Sequence, residues 1–413
     1  MKKEILGKTI NRGILVFMMI AGGALFGYST DLATAAEPIR IGIIDTYVGA
    51  AAAFTEPGLA GWKLVVEEIN ASGGLLGRRV ELIVRDDKAK TSEAVANARE
   101  LVFQEKVHFL GGTILSSVSL AVSEFAKKNK VLFTSVMAMS PLLTGAKGHR
   151  YVASACLNTV GAGPGLARVA VKRGWNKFWA IGEDYEYGHA IWESFWNAMR
   201  KVNPNAKLLG EAWVKVGEVE YGSQIAACMG AKPDAVFGAQ GSMGFIPFSK
   251  QVVMHGMSGK IPVITYAFES VTQALGKDFP QIVLDGDVYL NYYPDSEANR
   301  IFNKKIKERT GLLANPGAFS GYIAAKFLTE AVKKAGTVET EAVINALDDL
   351  TIDSPRGPMT MRRYDHQIWP DIFVGWEAFD PAVGHARMKD IQVVEIKDLI
   401  PSIEEIKKLR EGK

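Results

Sequence analysis

From residue 39 the chain alternates short apolar runs with longer stretches in which apolar residues recur every three or four positions. "IRIGIID" reads as a buried strand, and "EPGLAGWKLVVEEINASGG" reads as a helix ended by Gly73 and Gly74. "RRVELIVRDD" and "TSEAVANARELVFQEK" form the next pair, followed by "VHFLGG", a serine-marked helix and "KVLFTSV". Past residue 156 a second series begins with "KFWAIGED" and "YGHAIWESFWNAMRKV", then "AKLLGEAWV" and "YGSQIAACMG". It continues through "PDAVFGAQ" and "FIPFSKQVVMHG" to "KIPVITY". The plan of "VHFLGGTILSS…KVLFTSV" returns in "DAVFGAQGSMG…KIPVITY". The expected fold is α/β, with two similar doubly wound parallel-sheet lobes. Beyond about residue 290 the pattern predicts helices in "EANRIFNKKIKERTG", "AFSGYIAAKFLTEAVKKAG" and "TEAVINALDDL". A Pro/Gly-rich crossing, "DSPRGPM", leads to the strand-like "DIFVGWEAF" and a closing polar helix, "IPSIEEIKKLREGK".

The first 35 residues stand apart. Lys2, Lys3, Lys8 and Arg12 precede the apolar "GILVFMMIAGGALFGY", and "ATAAE" supplies small residues. That is the layout of a secretory signal cut after Ala35, with a retained anchor as the alternative. For the whole chain, 48% hydrophobic and 23% charged residues fit a globular protein, and 413 residues suffice for two domains. A net charge of +3 without a basic stripe argues against a nucleic-acid partner. Cys156 and Cys228 are the only cysteines, and sequence leaves open whether they pair.

Catalytic motifs are missing. The histidines are scattered, without the spacing that sets two metal ligands on one helical face. "GAGPGLA" carries Leu166 where a dinucleotide loop needs glycine, and "AQGSMG" carries Gln240 where a nucleophile elbow needs one. Asp86–Asp87 and Asp348–Asp349 read as solvated element ends. No catalytic residue, metal or cofactor is assigned. The distinctive residues fall after strands, where open α/β sheets bind ligands. They are Tyr47 and Phe54; Ser116 and Ser117; and Ser135, Met137, Met139 and Ser140. In the second series they are Tyr185 and Tyr187; Gln240 and Ser242; and Tyr266, Phe268 and Glu269. Such a set suits a cleft with apolar walls and a few directing polar groups. Ser116 and Ser117 suit either a helix cap or a carboxylate site at a helix start.

"IRIGIIDTYVG", "AGWKLVVEEINASGGLLGRRVELIVRDD", the "SS…KKNKVLF…SP" unit and "EDYEYG" together resemble the periplasmic leucine/isoleucine/valine-binding proteins of ABC transporters. The resemblance implies a type I periplasmic-binding fold with a three-segment hinge, crossing near 156, 290 and 357. One lobe would hold residues 36–156 and 290–357, the other 157–289 and 358–413, closing over solute in between. Carried over by position, Phe54 covers the ligand, Ser116 and Ser117 hold its carboxylate, Tyr187 closes from the second lobe, and Glu269 lies near an α-ammonium group. Met137, Ser140, Gln240 and Phe268 complete the expected site. Where amino-acid binders show "ATAP" this chain reads "MAMSP", with Met139 in the threonine position, Ser140 a partial substitute, and Gly241 in place of a second tyrosine. These departures bring in aromatic or short aliphatic carboxylates beside α-amino acids. The implied function is a monomeric periplasmic solute-binding protein that delivers an amino acid or related carboxylate to an inner-membrane permease, without cofactor. A ligand-presenting sensor and an enzyme acting on the solute remain alternatives.

Overall fold

The computed structural model describes residues 36–412, so the expected export signal over 1–35 lies outside the described residues. The first series runs β1 (Ile39–Asp45), α1 (Ala52–Ala71), β2 (Val80–Asp86), α2 (Thr91–Phe103), β3 (Phe109–Gly112), α3 (Ser116–Asn129), β4 (Phe133–Ser135) and β5 (Val152–Ser154). The second runs α4 (Thr159–Ala170), β6 (Lys177–Glu183), α5 (Glu186–Val202), β7 (Lys207–Val214), α6 (Gly222–Ala231), β8 (Ala235–Ala239), α7 (Ser242–Met254), β9 (Val263–Thr265), α8 (Glu269–Leu275) and β10 (Val283–Asp287). Then come α9 (Glu297–Thr310), α10 (Pro316–Ala335), α11 (Thr340–Leu347), β11 (Thr351–Ser354), β12 (Gly357–Arg362), β13 (Gln367–Ile368), β14 (Ile372–Asp380), β15 (His385–Val394) and α12 (Ile403–Arg410).

Two sheets result. Five parallel strands of each share one order: β2-β1-β3-β4-β5 in the first and β7-β6-β8-β9-β10 in the second. The internal similarity read from the sequence is therefore a similarity of topology. In each sheet the order reverses beside the first strand, between β1 and β3 and between β6 and β8, which is where doubly wound sheets open a crevice. This is the two-lobe type I fold.

The third crossing needs correction. β12 pairs with β11 and with β13, and β13 extends the first sheet beside β5. The chain leaves that sheet between Ile368 and Ile372, not near 357, to join the second sheet as β14 beside β10. Nor do the last residues belong wholly to the second lobe. Arg410 of α12 donates to the carbonyls of Thr144 and Gly145, which lie between β4 and β5.

The inner strands β1, β3, β4, β8 and β9 are buried, largely apolar runs. Phe109, Ile41 and Ile43 pack in the first lobe, and Phe178, Phe195 and Phe237 in the second. α1 and α10 cross through glycines. A Cβ on Gly321 would stand 2.0 Å from the Gly58 carbonyl oxygen, and one on Gly61 would stand 2.2 Å from that of Ala318. Cys156 and Cys228 are both buried and unpaired. Asp87 is not a solvated strand end. It is fully buried and accepts from the Thr46 hydroxyl at 2.6 Å and the Ala89 N–H at 2.8 Å.

Candidate functional site

A cavity of about 650 Å³ lies at the carboxyl ends of the parallel strands and takes its wall from both lobes. From the first lobe come Phe54, Ile114, Leu115, Ser116, Met137 and Met139. Phe54 sits in the first turn of α1, because that helix begins at Ala52 rather than at Glu56 as the sequence pattern suggested. Its ring centroid is 5.9 Å from that of Phe268, which reaches in after β9. Tyr266 supports Phe268 edge-on at 5.3 Å. Tyr185 and Tyr187 line the second-lobe side with ring centroids 5.9 Å apart.

Ser116 is the first residue of α3 and is buried. The preceding N-cap, Leu115, makes no side-chain cap bond, and the first turn holds no acidic residue. Ser119 N–H to Leu115 C=O, at 2.9 Å, is the bond that opens the helix ladder. The N–H groups of the first turn before it, and the positive end of the helix dipole, therefore meet the cavity without an internal anion. The equivalent helix of the second lobe is different. At the start of α7 the Gly241 N–H donates to Glu183 Oε2 at 3.1 Å, and a Cβ on Gly244 would lie 2.4 Å from Glu183 Cδ. Glu183 Oε1 takes the Gly217 N–H at 3.0 Å. Burial raises the pKa of Glu183, and these two N–H bonds oppose the shift. One of two matching helix starts thus carries its own carboxyl group, and the other does not.

Six of the ten residues of the expected site meet in the lining: Phe54, Ser116, Met137, Met139, Tyr187 and Phe268. The other four lie elsewhere. Ser117 is exposed on the next face of the helix. Ser140 donates to Glu186 Oε1 at 2.6 Å, a bond from a first-lobe loop to the first turn of α5 in the second lobe. Gln240 is buried and donates from Nε2 to the Ile181 carbonyl at 3.0 Å. Glu269 is buried and turned to Asn291, whose side-chain amide donates to its Oε2. Burial pushes the Glu269 pKa up to about 7, while the Asn291 bond lowers it. Among residues not chosen beforehand, Glu183, Val216, Val219, Met243 and Ile246 line the cavity. Applying the strand-end rule to "WVKVGEVE" after β7 would have found the two valines. Glu183 closes β6 at the head of "EDYEYG", so the same strand-end rule reaches it. Among the described residues no group of three or more His, Cys, Asp or Glu side chains is placed to hold a metal.

A family model described as periplasmic binding protein matches residues 38–375. The chain belongs to the periplasmic binding protein family. Within that family it is similar to the Leu/Ile/Val-binding protein BraC3 of Rhizobium johnstonii, at 27% identity over 75% of this chain and 83% of that protein. It is also similar to the leucine-, isoleucine-, valine-, threonine- and alanine-binding protein of Pseudomonas aeruginosa, at 23% identity over 82% of this chain and 89% of that one. Among solved structures it matches an ABC-transporter solute-binding protein from Rhodopseudomonas palustris in complex with 3,4-dihydroxybenzoic acid. The TM-score there is 0.80 at 21% identity, covering 88% of this chain and 98% of that one. A leucine-binding protein from Thermotoga maritima gives a TM-score of 0.76 at 20% identity, covering 88% and 100%. These structures share the fold. In a periplasmic binding protein the lobes are two halves of one site that close on a hinge.

Proposed function

We propose that the protein is the exported solute-binding component of an ABC uptake system and captures a small carboxylate with an apolar body. The carboxylate sits at Ser116 on the α3 N-terminus, and Phe54, Met137, Met139, Tyr187 and Phe268 enclose the rest. The observation that carries this reading is the unneutralised start of α3 opening into an apolar-walled cavity, beside a matching start of α7 that Glu183 already occupies. A helix N-terminus of that kind favours an anion. Micromolar affinity needs about 8 kcal/mol. A hydrogen bond to a charged group supplies about 1.5–3 kcal/mol, so most of the binding comes from burying the apolar body.

Three features favour acids without an α-amino group. Met139 replaces a hydroxyl, Glu269 faces Asn291 rather than the cavity, and both Glu183 oxygens accept backbone N–H groups. The closed form then delivers the solute to a membrane permease. The second reading, an α-amino acid, is favoured by what the relatives' names say those proteins bind.

A thermal-shift screen of residues 36–413 separates the two, since a ligand raises the melting temperature by mass action. Benzoate and related aromatic acids are expected to raise it more than leucine, isoleucine or valine. A shift with those amino acids and none with aromatic acids would establish the second reading instead.

A further inference from the structure

The cavity exceeds what the carboxylate end and one ring require. An acid of about nine non-hydrogen atoms, such as benzoate or leucine, at no more than a water molecule's share of roughly 30 Å³ per atom, fills less than half of the 650 Å³. Most of the lining belongs to the second lobe. Met243, Ile246, Pro247 and Lys250 recur at helical spacing along one face of α7 and all line the cavity. That face spans about 10 Å, at ~1.5 Å per residue.

A second wall comes from the loop after β7. Val216 and Val219 are 59% and 57% exposed, and both nevertheless line the same cavity. Between them Gly217 adopts φ +83°, a left-handed conformation that suits glycine, and gives its N–H to Glu183. The same carboxyl group takes the N–H of Gly241 at the start of α7, so one side chain ties the loop to the helix. Glu183 ends β6, the loop follows β7 and α7 follows β8, all strands of one sheet. Movement of the lobes against each other therefore leaves this pouch intact. With its oxygens already engaged, Glu183 requires no polar partner from a ligand.

We infer that the solute is an amphipathic monocarboxylate whose apolar tail, an alkyl chain or second ring, continues past the first ring into a pouch between α7 and the Val216–Val219 loop. This rests on the placement of the carboxylate at Ser116. Titration calorimetry with benzoate and 4-butylbenzoate tests it on residues 36–413. The butyl acid is expected to bind at least tenfold tighter. Val219→Trp, on an exposed loop, and Ile246→Phe, on the cavity face of α7, are each expected to pull the ratio of the two affinities toward one. Benzoate binding with no gain from the butyl group overturns the tail and leaves the carboxylate site standing. Variants that weaken both acids by the same factor also overturn it. Failure of both acids to bind overturns the carboxylate site and the tail together.

Discussion

Three neighbouring serines have three different surroundings. Ser116 lines the cavity, Ser117 faces solvent, and Ser119 joins a buried hydroxyl chain with Thr113 at 2.9 Å and Ser135 at 3.0 Å. Successive helical positions turn by roughly 100°, so adjacent serines cannot share a surrounding, and their sequence proximity alone did not say which one meets a ligand. The N-cap explanation fails for Ser116 on geometry, because Leu115 holds the cap position. Ser116→Ala is expected to weaken carboxylate binding by about ten- to a hundredfold, the worth of one hydrogen bond to a charged group, with little change in the unliganded melting temperature. Unchanged affinity in a calorimetric titration would remove Ser116 from the site. Glu269 offers a test by pH. Its pKa is raised from 4.5 to about 7 in the folded protein, so its contribution to stability is full below pH 4.5 and is lost as pH rises toward 7. Glu269→Gln is therefore expected to gain in unfolding free energy, relative to wild type, as pH goes from 4.5 to 7 in denaturant titrations. A pH-independent difference would contradict the burial account.

At the scale of elements, the periodic helices and apolar strands were legible because each carries its signal locally. What escaped depended on distant partners. α1 starts before Pro57 although proline removes a ladder donor. The Ala53 carbonyl that would have accepted from it takes the side-chain amide of Asn315, the N-cap of α10, at 3.3 Å, a contact that no local pattern reveals. Likewise "DSPRGPM" reads as a turn, and it does hold one. The strands β11 and β12 on either side of that turn were invisible until β13 bound them to the edge of the first sheet. The α1–α10 crossing gives a prediction at this scale. Gly321→Val places side-chain atoms against the Gly58 backbone, which cannot move aside as a flexible side chain would. A loss of about 2 kcal/mol or more is expected from overpacking, read as a lower urea midpoint. A midpoint within error of wild type would contradict the packing described.

For the whole molecule, the cavity exists because two sheets of the same order present their reversal points to each other. The sequence conveyed that architecture through its repeated strand–helix plan. It did not convey how the lobes touch. Ser140, expected on the ligand, instead bonds Glu186 across the cleft, and Phe54 meets Phe268 from the other lobe. A contact between the lobes that favours one arrangement of them biases the open–closed equilibrium and so affects affinity without touching solute. Ser140→Ala is expected to lower solute affinity several-fold and to enlarge the unliganded particle's mean radius in small-angle scattering. Unaltered affinity and radius together would show that this bond does not bias closure. The most direct measurement compares an acid with its uncharged amide, benzoate against benzamide, by calorimetric titration of residues 36–413. Similar in size and shape, the two differ mainly in the negative charge that the start of α3 would hold. Benzoate is expected to bind at micromolar strength and benzamide at least a hundredfold more weakly. Equal affinities would contradict carboxylate recognition at Ser116.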